Sequence, residues 1–167
     1  MSKQVLLPGN SVHNRAWIES VQQRLGGDIQ IYRHWLIGQE LIDFDHEIEV
    51  LVRASAGESI RVFAKSAGCL LAMKSQNEQA VKIERAVFVG TAVGWGEELG
   101  FPVREWLAQW YVPTLFIHNK KDPVIHVDDL KPLFPPRSQL LELPGLDHDY
   151  LDLDTFLPSA ISFLQTP

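Results

Sequence analysis

Short β-prone runs alternate along this chain with stretches whose apolar residues recur at helical spacing. That alternation limits the fold more than any other feature of the sequence. The runs are Val5-Leu6-Leu7, Ile29-Gln30-Ile31-Tyr32, Ile60-Arg61-Val62-Phe63-Ala64, Ala86-Val87-Phe88-Val89, Thr114-Leu115-Phe116-Ile117 and Gln139-Leu140-Leu141-Glu142-Leu143. Several are apolar at every position, the pattern of strands in a parallel sheet covered on both sides. Strand, helix, strand, repeated, implies βαβ units with right-handed crossovers. The expected fold is therefore α/β, a doubly wound, mainly parallel sheet of about six strands with helices on both faces, in one domain over residues 1–167.

The intervening segments support this reading. Trp17, Ile18, Val21 and Leu25 follow helical spacing, and Gly26-Gly27 ends that segment. Leu41, Phe44, Ile48 and Leu51 predict a second helix. A third begins near Ser66 and carries Leu70, Leu71 and Met73. A last one lies between Asp154 and Gln165, with Phe156, Leu157, Ile161 and Leu164 inward and Pro158 in its first turn, where a missing N–H costs little.

The connection from Val93 to Val112 stands apart. It holds Gly94, Gly96 and Gly100 together with Trp95, Phe101, Trp106, Trp110 and Tyr111. Two readings fit: a core helix with a glycine-rich lead-in, or a small lid whose Trp95, Phe101, Trp106 or Trp110 lines an apolar substrate pocket.

Charge and cysteine content remove several function classes. The formal charge is −6 and no Lys/Arg cluster marks a nucleic-acid footprint. The single cysteine, Cys69, excludes an internal disulfide and a multi-thiolate metal site. No apolar stretch approaches the ~20 residues of a membrane span. Met1 to Gln4 lead directly into Val5-Leu6-Leu7 without a signal-peptide pattern, so a cytoplasmic location is expected. Asp43-Phe44-Asp45-His46-Glu47 is rich in metal-ligand types but reads as the solvated side of an amphipathic helix, and no metal is expected.

Three segments carry residues suited to nucleophilic catalysis. In Val62-Phe63-Ala64-Lys65-Ser66-Ala67-Gly68-Cys69, a strand runs into a helix through a turn with small residues two positions either side of a serine. Such a turn forces the serine into a strained conformation and projects its hydroxyl above the sheet, beside the N–H groups of a helix start. Thr114-Leu115-Phe116-Ile117-His118-Asn119-Lys120-Lys121-Asp122-Pro123-Val124 places Asp122 just past another strand, where an aspartate before proline also suits a plain turn. Leu143-Pro144-Gly145-Leu146-Asp147-His148-Asp149-Tyr150 places His148 past the last strand. Ligand sites in doubly wound sheets lie at the carboxyl ends of strands, so the three residues are expected to converge there. Asp147 and Asp149 adjoin the histidine, but a sequence neighbour rarely reaches the ring N–H, which leaves Asp122 as the better acid.

These segments resemble the α/β-hydrolase family: its nucleophile elbow G-x-S-x-G, with Ala64 in place of the first glycine, its acid turn, with Asn119 where glycine is usual, and its histidine loop, in the order Ser, Asp, His. The resemblance implies Ser66 as nucleophile, His148 as general base and Asp122 as the orienting acid. Leu7-Pro8-Gly9-Asn10-Ser11-Val12-His13 resembles the oxyanion loop, so the backbone N–H groups of Asn10 and Ala67 would hold the oxyanion. The same segment also reads as a βα turn in which Asn or Ser caps the next helix, and His13 reads as structural or solvated. The enzyme implied by the resemblance is a compact serine esterase acting on a small-molecule ester or thioester, with no cofactor. The competing expectation is a non-catalytic binding protein on the same fold, favoured by Ala64 and by Lys65, a charge tolerable beside a nucleophile if it points to solvent.

Overall fold

The computed structural model describes residues 2–167. In chain order the elements are β1 (Lys3–Leu7), α1 (Asn14–Leu25), β2 (Asp28–Ile29), α2 (Arg33–Leu36), α3 (Phe44–Ser55), β3 (Ile60–Lys65), α4 (Ala67–Asn77), β4 (Ile83–Val89), α5 (Val93–Glu98), α6 (Val103–Ala108), β5 (Thr114–Asn119), α7 (Val127–Leu130), β6 (Ser138–Leu143) and α8 (Leu157–Gln165). The six strands form one sheet in the order β2-β1-β3-β4-β5-β6, and every neighbouring pair is parallel.

Two-residue alternation sorts the strand side chains onto two apolar layers. Leu6, Phe63, Val87, Val89, Leu115 and Ile117 face α1 and α8, where they meet Trp17, Ile18, Val21, Phe156 and Leu157. Val5, Leu7, Val62, Ala64, Ala86, Phe88 and Phe116 face the other way, against α3, α4 and the α5–α6 segment. Both layers are apolar because both faces are covered, which explains the continuous hydrophobic runs.

Details depart from the sequence expectations. Of the Ile29–Tyr32 run only Ile29 belongs to the sheet, in the two-residue β2. Tyr32 turns inward instead and donates its hydroxyl to the Pro8 carbonyl at 2.6 Å. Leu41 is exposed and precedes its helix, whose N-cap is Asp43. In α8 the buried positions are Leu157, Ala160, Phe163 and Leu164, while Ile161 is only partly covered.

The strand order reverses at one place. From β1 the chain moves outward to β2, then returns to place β3 on the other side of β1. A crevice forms beyond the carboxyl ends of strands at such a switch point. Here those ends are Pro8–Asn10 after β1 and Ser66 after β3. The two approach closely because Gly68 has no side chain: a Cβ there would lie 2.1 Å from the Leu7 carbonyl oxygen.

Candidate active site

Ser66 occupies the single residue between β3 and α4, with φ 53° and ψ −112°. A non-glycine residue held at positive φ costs on the order of 1–3 kcal/mol, so surrounding contacts must impose it. The Ser66 N–H donates to the Val89 carbonyl at 3.0 Å, and its own carbonyl accepts from Cys69 N–H at 3.0 Å. Ala64 is fully buried and small enough for the turn. The hydroxyl, left half-buried, lies 2.8 Å from Nε2 of His148.

On its other side, the His148 ring donates from Nδ1 to Asp122 Oδ2 at 2.7 Å. Asp122 is fully buried just beyond β5. Its Oδ1 accepts the Val124 N–H at 2.9 Å, so the carboxylate both closes the turn before Pro123 and faces the histidine. Burial opposes its ionisation, but the hydrogen bond and charge of His148, the Tyr150 hydroxyl and the Val124 N–H outweigh burial and hold it below the usual carboxylate range. The turn role and the partner role of Asp122 therefore coexist.

The Asn10 peptide is clamped from the α2 side. Its carbonyl accepts from the His34 ring Nε2–H at 2.6 Å and from Trp35 Nε1–H at 2.8 Å. Its side chain donates to the Glu40 carbonyl and accepts the Ile42 N–H, both at 2.8 Å. Among the described residues, neither the Asn10 N–H nor the Ala67 N–H has a hydrogen-bond acceptor. A cavity of about 420 Å³ opens beside this loop, with Ser11, Val12, His34 and Trp35 among its walls.

The other candidate residues have the following surroundings. Trp110 is buried on Phe88, with ring centroids 5.2 Å apart, and donates its indole N–H to Thr114 Oγ1 at 2.7 Å. Trp106 is buried against Phe101, and Phe101 and Trp95 pack on Phe44 of α3. The Val93–Val112 segment thus forms α5 and α6, packed on the core. Cys69 is buried, its thiol pushed up by burial, so it makes a poor nucleophile. His13 is exposed at the start of α1. Asp147 and Asp149 are exposed too, and Asp147 accepts the Asp149 N–H rather than the histidine ring.

The acidic run at α3 is structural. Asp43 accepts the His46 N–H and pairs with Arg33, and Asp45 pairs with Lys74. Glu47 is not solvated as its helical position implies. It is buried, accepting from Gln30 Nε2–H at 2.8 Å and Arg33 N–H at 2.7 Å. Among the described residues no group of three or more His, Cys, Asp or Glu is arranged to hold a metal ion.

Lys65 and Asn119, both close to the site, meet specific partners. Lys65 does not point to solvent: it is 6% exposed, with its ammonium 3.0 Å from Asn14 Oδ1 and 4.8 Å from the centre of the Trp17 ring. Burial lowers its pKa, partly offset by Asp149, Asp122 and Asp147. Asn119 does not use a positive φ. Its side chain instead donates to the Asp147 carbonyl at 2.9 Å and so ties the histidine loop to β5. Sequence reasoning also passed over Tyr150, whose only signal is an aromatic two residues after the loop histidine.

No protein-family model matches the chain, and no curated protein sequence matches it. Solved structures do. An esterase from Exiguobacterium antarcticum superposes with a TM-score of 0.72 at 15% identity, over 99% of this chain and 92% of its own. A YdeN-like hydrolase from Pectobacterium atrosepticum gives 0.71 at 17% identity, over 98% and 90%. A serine hydrolase involved in carbazole degradation gives 0.69 at 13% identity, over 98% and 91%. The chain has the α/β-hydrolase fold.

Proposed function

We propose that this α/β-hydrolase-fold chain is a serine hydrolase that cleaves a carboxylic ester or thioester through an acyl-enzyme on Ser66. The observation that carries the reading is the unbroken relay from Ser66 Oγ to His148 Nε2 at 2.8 Å, then from His148 Nδ1 to Asp122 Oδ2 at 2.7 Å. Each chemical step uses that arrangement. His148 takes the Ser66 proton as Oγ attacks the acyl carbon. Asp122, ionised and buried, holds the ring's orientation and stabilises the imidazolium. The N–H groups of Ala67 and Asn10 receive the oxyanion. His148 then protonates the departing alcohol or thiol, and a water deprotonated by the same nitrogen releases the acyl group as a carboxylic acid.

The backbone strain at Ser66 supports this reading over a non-catalytic binding protein. A serine kept at φ 53° without a chemical task is a liability that a glycine would relieve.

The test pairs a fluorophosphonate probe with a panel of p-nitrophenyl esters of increasing acyl length. Ser66→Ala should abolish labelling and lower turnover by roughly 10⁴-fold or more while the protein stays folded. A folded wild type that the probe does not label and that turns over no ester would favour the binding-protein reading. Unchanged turnover in Ser66→Ala would assign the chemistry to another residue.

A further inference from the structure

We propose that Tyr150 is a positioning residue for the Asp122–His148 pair: its hydroxyl fixes the Asp122 carboxylate and takes a share of its charge. The proposal rests on the reading of Ser66, His148 and Asp122 as a catalytic relay. Tyr150 donates its O–H to Asp122 Oδ2 at 2.7 Å, the same oxygen that accepts the His148 Nδ1–H at 2.7 Å. The direction of that bond is set from behind, because the Asn119 N–H donates to the tyrosine oxygen at 2.9 Å and leaves its hydrogen facing the carboxylate. The phenol stays protonated: burial, followed by the Asp122 charge, pushes it far above its usual range.

The chain accepts strain to place this ring. Tyr150 is 3% exposed and sits at φ 55°, an unfavourable backbone for a bulky residue. Its carbonyl is held by the Trp17 indole N–H at 2.8 Å. Gly90, at the end of β4, makes the room: a Cβ there would lie 2.8 Å from Tyr150 Cε2 and 3.0 Å from His148 Cε1. One glycine thus admits both rings that converge on Asp122. A phenylalanine would fill the same space, so the hydroxyl and its choice of Oδ2 are what packing leaves unexplained.

Two donors on one carboxylate oxygen have two effects. They fix the plane of the carboxylate, so that Oδ2 stays turned to the ring, and they divide its charge between phenol and imidazole. Other groups face the cluster from the surrounding elements: Lys65 from β3, His118 from β5, Cys69 from α4, and Asp147 and Asp149 from the histidine loop. Tyr150→Phe alters none of them.

The experiment compares wild type, Tyr150→Phe and a protein carrying site-specific 3,5-difluorotyrosine at position 150, a stronger donor of nearly the same shape. Two readouts are taken: the pH profile of kcat/KM for p-nitrophenyl acetate, and the low-field NMR resonance of the proton between His148 Nδ1 and Asp122. In Tyr150→Phe the share of the carboxylate charge that the phenol took turns to the ring. The acidic limb of the profile should then move up by about one pH unit, a loss that reaches about tenfold at pH values well below the wild-type limb, with a smaller change on the plateau. The proton resonance should move to lower field. Difluorotyrosine should shift both in the opposite direction, and it keeps the test available if Tyr150→Phe does not fold. A limb and a resonance unmoved by either replacement would reduce Tyr150 to packing and overturn the proposal. If the wild type turns over no ester, the relay reading fails on its own account. The resonance still decides whether Tyr150 acts on Asp122.

Discussion

Replacing Gly68 by alanine should damage catalysis through the backbone alone. The added Cβ would stand 2.1 Å from the Leu7 carbonyl oxygen and 2.9 Å from that of Pro8, against 3.4 Å or more for ordinary contact. Both obstacles are main chain, so no side chain can swing aside. Relief requires the end of β1 and the start of α4 to separate by about an ångström. That gap is the proposed oxyanion site, with Asn10 two residues beyond Pro8 on one side and Ala67 next to Gly68 on the other. A misplacement of that size costs on the order of 10²-fold in rate, and complete loss of one oxyanion donor about 10²–10³-fold in kcat. Overpacking should also lower stability by about 1–3 kcal/mol. Single-turnover acylation with a p-nitrophenyl ester isolates the chemical step, and thermal unfolding followed by circular dichroism reports the fold. The expected result is a folded protein of lower melting temperature, acylating roughly a hundredfold more slowly, with substrate affinity little changed. A Gly68→Ala protein acylating at the wild-type rate would refute the reasoning, because the two N–H groups would then tolerate displacement.

Two other substitutions probe the structure from different sides. Trp110→Ala should cost about 3–5 kcal/mol of stability, as for other buried aromatic truncations, and leave the order of preference among p-nitrophenyl ester chain lengths intact; thermal melts and the ester panel check both. Asp122→Asn should flatten the acid side of the stability curve. The folded carboxyl sits below its usual value, so the stability it contributes is fully present above about pH 4 and is lost as pH falls through the lower folded pKa. Urea titrations across that window should show the wild type losing stability that the variant never had.

The main features of the fold, and the convergence of the three candidate residues, could be read from the chain because they rest on local patterns. Apolar runs such as Val62–Ala64 and Phe116–Ile117 are buried on both faces, and the sheet that results is parallel throughout. Ser66, Asp122 and His148 each follow a strand by a few residues, so topology alone brings them to one end of the sheet. What escaped were residues whose surroundings come from distant chain. The aromatics of Val93–Val112 have the composition of a lid and of a core alike, and their packing on the Phe88 and Phe44 rings comes from distant chain that composition does not reveal. The surroundings of Lys65 were left open by its sequence, and Trp17 and Asn14 of α1 cover it. Glu47 was assigned to solvent by its helical position, but Gln30 and the Arg33 N–H claim it. Tyr150 and Trp17 are joined across 133 residues of sequence, a separation that no local pattern encodes.

The clamp on Asn10 bears on which substrates such a site can serve. Its carbonyl is gripped by two ring N–H groups and its side chain by two backbone groups, all from the segment beyond β2. A loop fastened in this way needs no help from a ligand to reach its working shape. Where a site must be assembled by closure, binding energy from the remote parts of a substrate drives the assembly, and small substrates react slowly for lack of it. If the Asn10 N–H is one of the proposed oxyanion donors, its loop is already held before substrate arrives. Reactivity should therefore follow the electronics of the acyl group and its leaving group more closely than their bulk, and even the shortest esters should meet a fully organised catalyst.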